Sequence, residues 1–119
     1  MKLAIVGSRG IRIENLEEFL PEGIDEIVSG GAKGIDECAA EYAREKGIKL
    51  TEFLPEYTRF GRAAPLKRNG RIAEYADEAI AFWDGRSRGT KFTIDAFERL
   101  GKRVSVVTVG CGANKASLV

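Results

Sequence analysis

The amino-acid sequence predicts a single α/β domain, in which a mainly parallel sheet of about five strands is covered by helices on both faces. The chain has 119 residues, of which 44% are hydrophobic, so it is long enough for one domain and apolar enough to fill one core. Short apolar runs alternate with segments of helical period, and parallel strands need such crossover connections. Glycines cluster where the apolar runs end, which is typical of the turns between strands and helices.

Each element is predicted from its local pattern. Five short runs rich in aliphatic residues are predicted to be strands, at residues 3–6, 24–29, 48–53, 78–83 and 104–109. Helices are predicted between them at residues 14–20, 35–46 and 65–76, and in a last segment that ends at residue 100. In the third helix Leu66 is expected to face the core and Arg68 to face outwards. The last strand is expected to be buried on both faces, and residues 110–119 to form a loose tail.

The composition excludes several classes of function. The chain contains no His, so it can form neither a Ser-His-Asp nor a Cys-His nucleophile system, nor any metal site that needs an imidazole. Acid–base chemistry would fall to carboxylates, Lys, Tyr or Cys. A net charge of +1 gives no long-range attraction for nucleic acid, so a nucleic-acid partner is disfavoured. No metal and no cofactor are predicted.

The cysteines and the apolar runs bear on the cellular compartment. Cys38 and Cys111 are far apart and neither belongs to a CxxC motif, so reduced thiols in a cytoplasmic protein are expected. The apolar runs are far shorter than the roughly 20 residues that span a bilayer, and no leader pattern is visible. The sequence therefore predicts a cytoplasmic protein without a membrane partner.

Three glycine loops follow the first, second and fourth strands, at residues 7–10, 29–36 and 84–90. In an open parallel sheet, ligands bind where strands end and helices begin, because free backbone N–H groups and helix dipoles attract anions there. None of the loops matches a Walker A or GxGxxG pattern, since Lys33 precedes Gly34 and Ile35 stands where Ser or Thr would be. The loop residues predicted to bind a ligand are Gly7, Ser8, Arg9, Ser29, Gly30, Gly31, Lys33, Gly34, Asp36, Asp84, Gly85, Ser87, Gly89 and Thr90.

These loops, together with Arg68-Asn69, Asp77 and the segment 81–90, resemble the SLOG superfamily, and above all its small YpsA-related branch. The superfamily unites the DNA-processing protein DprA (Smf), the LOG phosphoribohydrolases and small YpsA-related proteins. The resemblance covers nearly the whole chain to Thr108. It implies a Rossmann-like three-layer domain that binds a nucleotide or nucleotide-derived ligand at these loops, and it adds Arg68 and Asn69 to the expected ligand contacts.

The similarity to LOG enzymes is partial. Those enzymes hydrolyse the N-glycosidic bond of a nucleoside 5′-monophosphate, and their signature is an Arg-Lys pair followed by Pro-Gly-Gly-x-Gly-Thr-x-x-Glu. Arg68 matches the signature Arg, but Thr93 stands where the catalytic Glu is expected. Glycosidic cleavage needs a carboxylate to stabilise the developing cation or to activate water. Catalysis would therefore need another acid, and the candidate catalytic residues are Arg68, Asp95 and Asp36.

The predicted function is the binding of a nucleotide-derived small molecule by a sensor or processing module, which is compatible with a homo-oligomer. Whether the protein is an enzyme is left open. One alternative is a LOG-like phosphoribohydrolase with an atypical acid. The other is a DprA-like module for single-stranded DNA, against which the near-zero net charge and the lack of an aromatic-rich basic platform count.

Overall fold

In the computed structural model of the protein, residues 1–109 and 117–118 are described. Among these residues, one sheet has the strand order β3-β2-β1-β4-β5-β6. The first five strands are parallel, and β6 pairs with β5 in the antiparallel direction. The strands are β1 (Lys2–Gly7), β2 (Glu26–Ser29), β3 (Lys49–Glu52), β4 (Glu78–Trp83), β5 (Val104–Thr108) and β6 (Ser117–Leu118). The predicted α/β class with a mainly parallel sheet is confirmed.

Helices cover both faces of the sheet, as the crossovers between parallel strands require. The helices are α1 (Ile35–Lys46), α2 (Tyr57–Phe60), α3 (Ala64–Tyr75) and α4 (Arg88–Arg99), with 3-10 turns at Leu16–Phe19 and Gly61–Ala63. One face packs against α1 and the first 3-10 turn, and the other packs against α3 and α4. No helix in the described part of the chain is long and apolar enough to cross a membrane.

The two faces of the sheet differ in the size of their side chains. Because side chains alternate along a strand, the α1 side receives large residues such as Leu3, Ile5 and Phe82. The α3 side receives smaller residues from the sheet, with alanine at Ala4, Ala79 and Ala81, and they share one cluster with Ala73 of α3 and Ala76 just after it. The short methyl groups allow α3 to lie close to the sheet.

Most elements were predicted within a few residues, and the following segments differ. The predicted helix at 14–20 is only the 3-10 turn Leu16–Phe19, and the predicted loop at 54–64 contains α2 and a second 3-10 turn. The strands predicted at 24–29 and 48–53 are shorter, at Glu26–Ser29 and Lys49–Glu52. The tail predicted at 110–119 falls mainly on residues 110–116 and 119, which lie outside the described residues; Ser117–Leu118 form β6.

The orientation predicted for α3 was wrong at two positions, Leu66 and Arg68. Leu66, predicted to face the core, is 42% exposed, whereas Arg68, predicted to face outwards, is only 7% exposed. The inward face of the helix carries Ala64, Arg68 and Ile72, which follow one another at four-residue spacing. The prediction failed because it treated arginine as a surface residue, while the fold supplies carbonyl acceptors for this one.

The prediction that β5 is buried on both faces was also wrong. Ser105 and Thr108 are exposed, although Val107 is buried. On the Ser105 face, α1 packs over β1, β2 and β3 and does not extend to β5. The β-branched residues of β5 therefore indicated a strand correctly, but they did not indicate how far the helices reach.

Candidate functional site

The strand order creates a switch point between β1 and β4. From β1 the chain proceeds to β2 and β3 on one side of the sheet, and from β4 it proceeds to β5 on the other. Crossovers that diverge in this way leave a crevice beyond the carboxyl ends of the two strands, where open α/β sheets bind their ligands. A cleft of about 350 Å³ opens at this place. Of the predicted ligand-binding residues, the cleft is lined by Gly7, Ser8, Arg9, Gly30, Asp36, Arg68, Asn69, Asp84, Ser87, Gly89 and Thr90.

Five other predicted ligand-binding residues do not line this cleft: Ser29, Gly31, Lys33, Gly34 and Gly85. Gly31 and Lys33 lie on the outer side of the β2–α1 loop, where they border a separate surface groove with Glu52. Gly85 is exposed, and its φ of 80° suits the turn after β4. The fold thus brings the three loops to one edge, but only part of each loop faces the cleft.

Asp95, a candidate catalytic residue, lies outside the cleft. Its carboxylate accepts a hydrogen bond of 2.6 Å from Lys91 Nζ on the exposed side of α4. Two residues along a helix correspond to about 200° of rotation, so Asp95 points away from the direction of Thr93. Thr93 itself lines the cleft with Thr90, one turn away. This three-residue spacing was the available signal that Thr93 shares the ligand-facing side of α4.

Two glycines of the cleft are required by close packing. A Cβ atom on Gly7 would lie 2.5 Å from Ile35 Cγ1, and one on Gly30 would lie 2.5 Å from Arg68 Nη1. Gly34 supports the cleft from behind, because its φ of 75° is in the left-handed region and a side chain there would collide with the Arg9 carbonyl. The loops after β1 and β2 therefore touch through backbone, which holds the cleft wall in place.

Ser8 presents an unsatisfied hydroxyl at this cleft. The residue is 5% exposed, and its Oγ forms no hydrogen bond with the described residues. Its backbone is held by a bond of 3.2 Å from Ser8 N to the Phe82 carbonyl, so the side chain is fixed at the junction of β1 and β4. The pKa of the Asp84 carboxyl is lowered chiefly by the backbone N–H groups of Ser87 and Arg86; the Ser8 hydroxyl lies near enough to contribute in the same direction, but it does not reach hydrogen-bond geometry. A buried polar atom in this state favours a ligand partner.

The first turn of α4 supplies backbone donors to the same cleft. Asp84 Oδ1 accepts 2.8 Å bonds from the N–H groups of Arg86 and Ser87, and these bonds lower the pKa of Asp84. Ser87 then caps the helix by accepting a hydrogen bond from Thr90 N at 3.3 Å. The N–H groups of Arg88 and Gly89 belong to the first turn and have no acceptor in the described part of the chain. This is the positive end of the α4 dipole, and it suits an anion.

The β2–α1 loop, by contrast, uses its own donors. Ala32 N donates to Asp36 Oδ2 and Gly34 N donates to Glu37 Oε1, each at 3.0 Å, while Gly31 N donates to Ser29 Oγ at 3.4 Å. Two carboxylates in the first turn of α1 thus occupy backbone N–H groups that the glycine pattern appeared to offer to a ligand. The loop therefore forms a wall of the cleft, and its backbone offers few free donors to a phosphate.

Arg68 and Asn69 connect the walls of the cleft. Arg68 Nη1 donates to the Gly30 carbonyl at 2.5 Å, and Arg68 Nε donates to Asn69 Oδ1 at 2.7 Å. Asn69 Nδ2 donates to the Gly89 carbonyl at 3.3 Å. A continuous network therefore runs from the β2–α1 loop through α3 to the first turn of α4.

Burial governs the charges of this network. It raises the pKa of Asp36 against the opposing effects of the Ala32 N–H group and of Arg68, and it lowers the pKa of Arg68 against the effect of Asp36. Arg9 stands exposed at the rim. Within residues 1–109, no group of three or more Cys, Asp or Glu side chains is placed to hold a metal ion.

The sequence profile of the YspA, cpYpsA-related SLOG family (YAcAr) matches residues 2–60, which run from β1 through α2. The chain belongs to the SLOG superfamily. The predicted resemblance to the YpsA-related branch is thereby confirmed, and membership suggests binding or processing of a nucleotide-related ligand. No curated protein and no solved structure matches this SLOG chain. The matched half carries the loops after β1 and β2, whereas Arg68, Asp84 and Thr93 lie beyond it.

Proposed function

We propose that this SLOG protein binds a nucleotide or nucleotide-derived small molecule in the cleft between β1 and β4, and that it acts as a sensor or processing module. The observation that carries the proposal is the Ser8 hydroxyl, which is buried at the switch point of the sheet without a partner among the described residues. Leaving a buried hydroxyl unpaired costs about 1–3 kcal/mol, and a ligand oxygen at the cleft floor removes that cost.

The donors and acceptors of the cleft suit a ligand with one anionic end. The free N–H groups of Arg88 and Gly89 and the hydroxyl of Thr90 suit a phosphate. Asp84 and Asp36 are acceptors and repel a second anion, so they favour hydroxyl or amino groups on the remainder of the ligand. A cleft of about 350 Å³ is at the small end of ligand pockets, which fits a compact nucleotide.

The cleft supports binding better than LOG-type hydrolysis. Thr93 is 2% exposed, and its hydroxyl donates to the Gly89 carbonyl at 3.0 Å. No carboxylate therefore stands at the position where the LOG signature has its Glu. The carboxylates that do line the cleft, Asp36 and Asp84, are each engaged by backbone N–H groups. Rapid glycosidic cleavage would need a freer acid or base.

Thermal melting and calorimetry with a panel of nucleoside monophosphates, nucleoside diphosphates and nucleotide sugars test the proposal. A ligand at 100 times its Kd stabilises a protein by about 2.7 kcal/mol, which corresponds to a Tm rise of roughly 10 °C for a domain of this size. Thr90→Val, which keeps the shape and removes the hydroxyl, should weaken binding roughly tenfold.

Asp95→Asn is the matched control, because it changes the exposed side of the same helix. This variant should bind like the wild type. The proposal is wrong if no compound of the panel moves Tm at millimolar concentration, or if Thr90→Val binds as tightly as Asp95→Asn.

A further inference from the structure

A second groove lies on the outer face of α3, away from the nucleotide cleft. We call it the α3 outer groove; it has a volume of about 470 Å³ and runs between α2, α3 and α4. Its apolar lining comes from Phe60, Leu66 and Phe92. Among the described residues, four large hydrophobic side chains are strongly exposed, and one of them, Leu66, lines this groove.

Gly70 lies in the floor of the α3 outer groove, in the middle of the helix. Glycine weakens a helix interior relative to alanine, so a mid-helix glycine calls for a reason. Its φ is not in the left-handed region, and a Cβ atom placed on it would meet nothing within 4 Å. Neither its backbone conformation nor packing among residues 1–109 and 117–118 requires this glycine. Its missing side chain instead lets an outside helix approach α3 closely.

The charges around the groove have both signs. Glu56 lies 3.9 Å from Arg59 and 3.8 Å from Arg71 in ion pairs. Within the described residues, Lys67 and Glu74 form no ion pair, although both line the groove. A mixed surface of this kind suits a protein better than a phosphodiester backbone, which calls for a uniformly basic path.

Lys67 and Glu74 stand on either side of Gly70 on the same face of α3. When two such helices cross in the antiparallel direction near Gly70, Lys67 of each copy lies opposite Glu74 of the other. The same surface thus complements itself in charge, and the exposed Leu66 of both copies is covered. This is the property that a two-fold, isologous interface needs.

We propose that the α3 outer groove is a self-association surface, on which a second copy of this chain docks its own α3 in the antiparallel direction across Gly70. The proposal is independent of the nucleotide cleft, which Arg68 and Asn69 line from the opposite side of the helix.

Sedimentation velocity over a range from micromolar to millimolar protein measures the dissociation constant of the dimer. Leu66→Glu should raise it by more than about 100-fold, because two leucines lose their burial and two charges take their place. Gly70→Gln should have a comparable effect because its side chain fills the groove floor. Glutamine is a good helix former, so a thermal melt should show that this variant remains folded. Leu100→Glu, at a leucine that is 50% exposed just after α4, is the matched control and should leave the dissociation constant unchanged.

A charge exchange tests the antiparallel arrangement. Lys67→Glu and Glu74→Lys alone should each raise the dissociation constant roughly tenfold, since two symmetric pairs become repulsive, and the double variant should restore it. A wild type that stays monomeric, a dimer that tolerates both Leu66→Glu and Gly70→Gln, or a double variant as weak as the singles would overturn the proposal. So would a monomer that binds a fluorescent oligonucleotide and loses this binding in Lys67→Glu, since the groove would then serve nucleic acid.

Discussion

Removing the hydroxyl of Ser8 should have opposite effects on folding and on binding. In the free protein, Ser8 Oγ is buried without a hydrogen bond to any residue that the structure describes, so Ser8→Ala removes an uncompensated desolvation of about 1–3 kcal/mol. The substitution removes one oxygen atom from a residue that borders an open cleft, so the energetic cost of the resulting cavity is small. We expect the free energy of unfolding to rise by about 1 kcal/mol, which is roughly 4 °C in Tm. Ligand affinity should fall about tenfold, because the ligand loses the bond that satisfied the hydroxyl.

Ser29 provides a matched control at the end of the neighbouring strand. It is fully buried, but its Oγ accepts a hydrogen bond from Gly31 N at 3.4 Å. Ser29→Ala should therefore lower the free energy of unfolding by about 1 kcal/mol and leave ligand affinity nearly unchanged. Urea denaturation without ligand gives the two stabilities, and calorimetry gives the two affinities.

The sign of the change in the free energy of unfolding shows whether the Ser8 hydroxyl is unsatisfied in the free protein. If Ser8→Ala lowers the free energy of unfolding as much as Ser29→Ala and binds ligand like the wild type, then Ser8 is satisfied inside the protein. The proposed role of its hydroxyl in the cleft would then be refuted, whatever the cleft binds.

Three further outcomes are expected. Lys102 Nζ donates 2.8 Å bonds to the carbonyls of Ala73, Glu74 and Ala76 at the end of α3, so Lys102→Met should lower the free energy of unfolding by about 2 kcal/mol, as measured by urea titration. Burial raises the pKa of Asp36 above its ordinary 3.8, so the folded protein binds this proton more tightly and the wild type loses stability as the pH rises from 3.8 through the folded pKa. The free energy of unfolding of Asp36→Asn should therefore rise relative to that of the wild type over that interval. A difference between the two proteins that stays constant from pH 4 to 7 would contradict the raised pKa of Asp36. Chromatography should detect little or no free base from AMP with the wild type and more with Thr93→Glu; rapid release by the wild type would show that another acid acts in the cleft.

The sequence predicted the alternation of strands and helices because residues buried at the sheet are apolar and recur with the period of the element that carries them. Residues 35–46 form α1 as predicted, and residues 78–83 form β4 with the predicted bounds. The glycine loops met at one edge because every parallel strand ends on the same side. These features depend on local pattern and on general topology, which a single sequence contains.

Features that depend on partners distant in sequence were not predictable. Arg68 is buried because the Gly30 carbonyl, 38 positions away, accepts a hydrogen bond from its guanidinium group. Glu26 is similarly buried, and its pKa is lowered chiefly by a hydrogen bond from the Tyr75 hydroxyl. Such pairings arise only once the strands and helices are packed.

The small side chains between α3 and the sheet influence the width of the cleft between β1 and β4. Arg68 and Asn69 reach the loops after β2 and β4 from α3, which packs over small sheet residues: alanine at Ala4, Ala79 and Ala81 and valine at Val6 and Val28. A larger residue at one of these positions strains a close-packed layer by about 1–3 kcal/mol, and the layer can relieve this strain by lifting the helix. The wall that α3 contributes to the cleft would then move away from the sheet, and the hydrogen bonds of Arg68 and Asn69 would lengthen. The dimensions of the cleft are thus governed partly by residues that do not line it, such as Ala4 and Ala81.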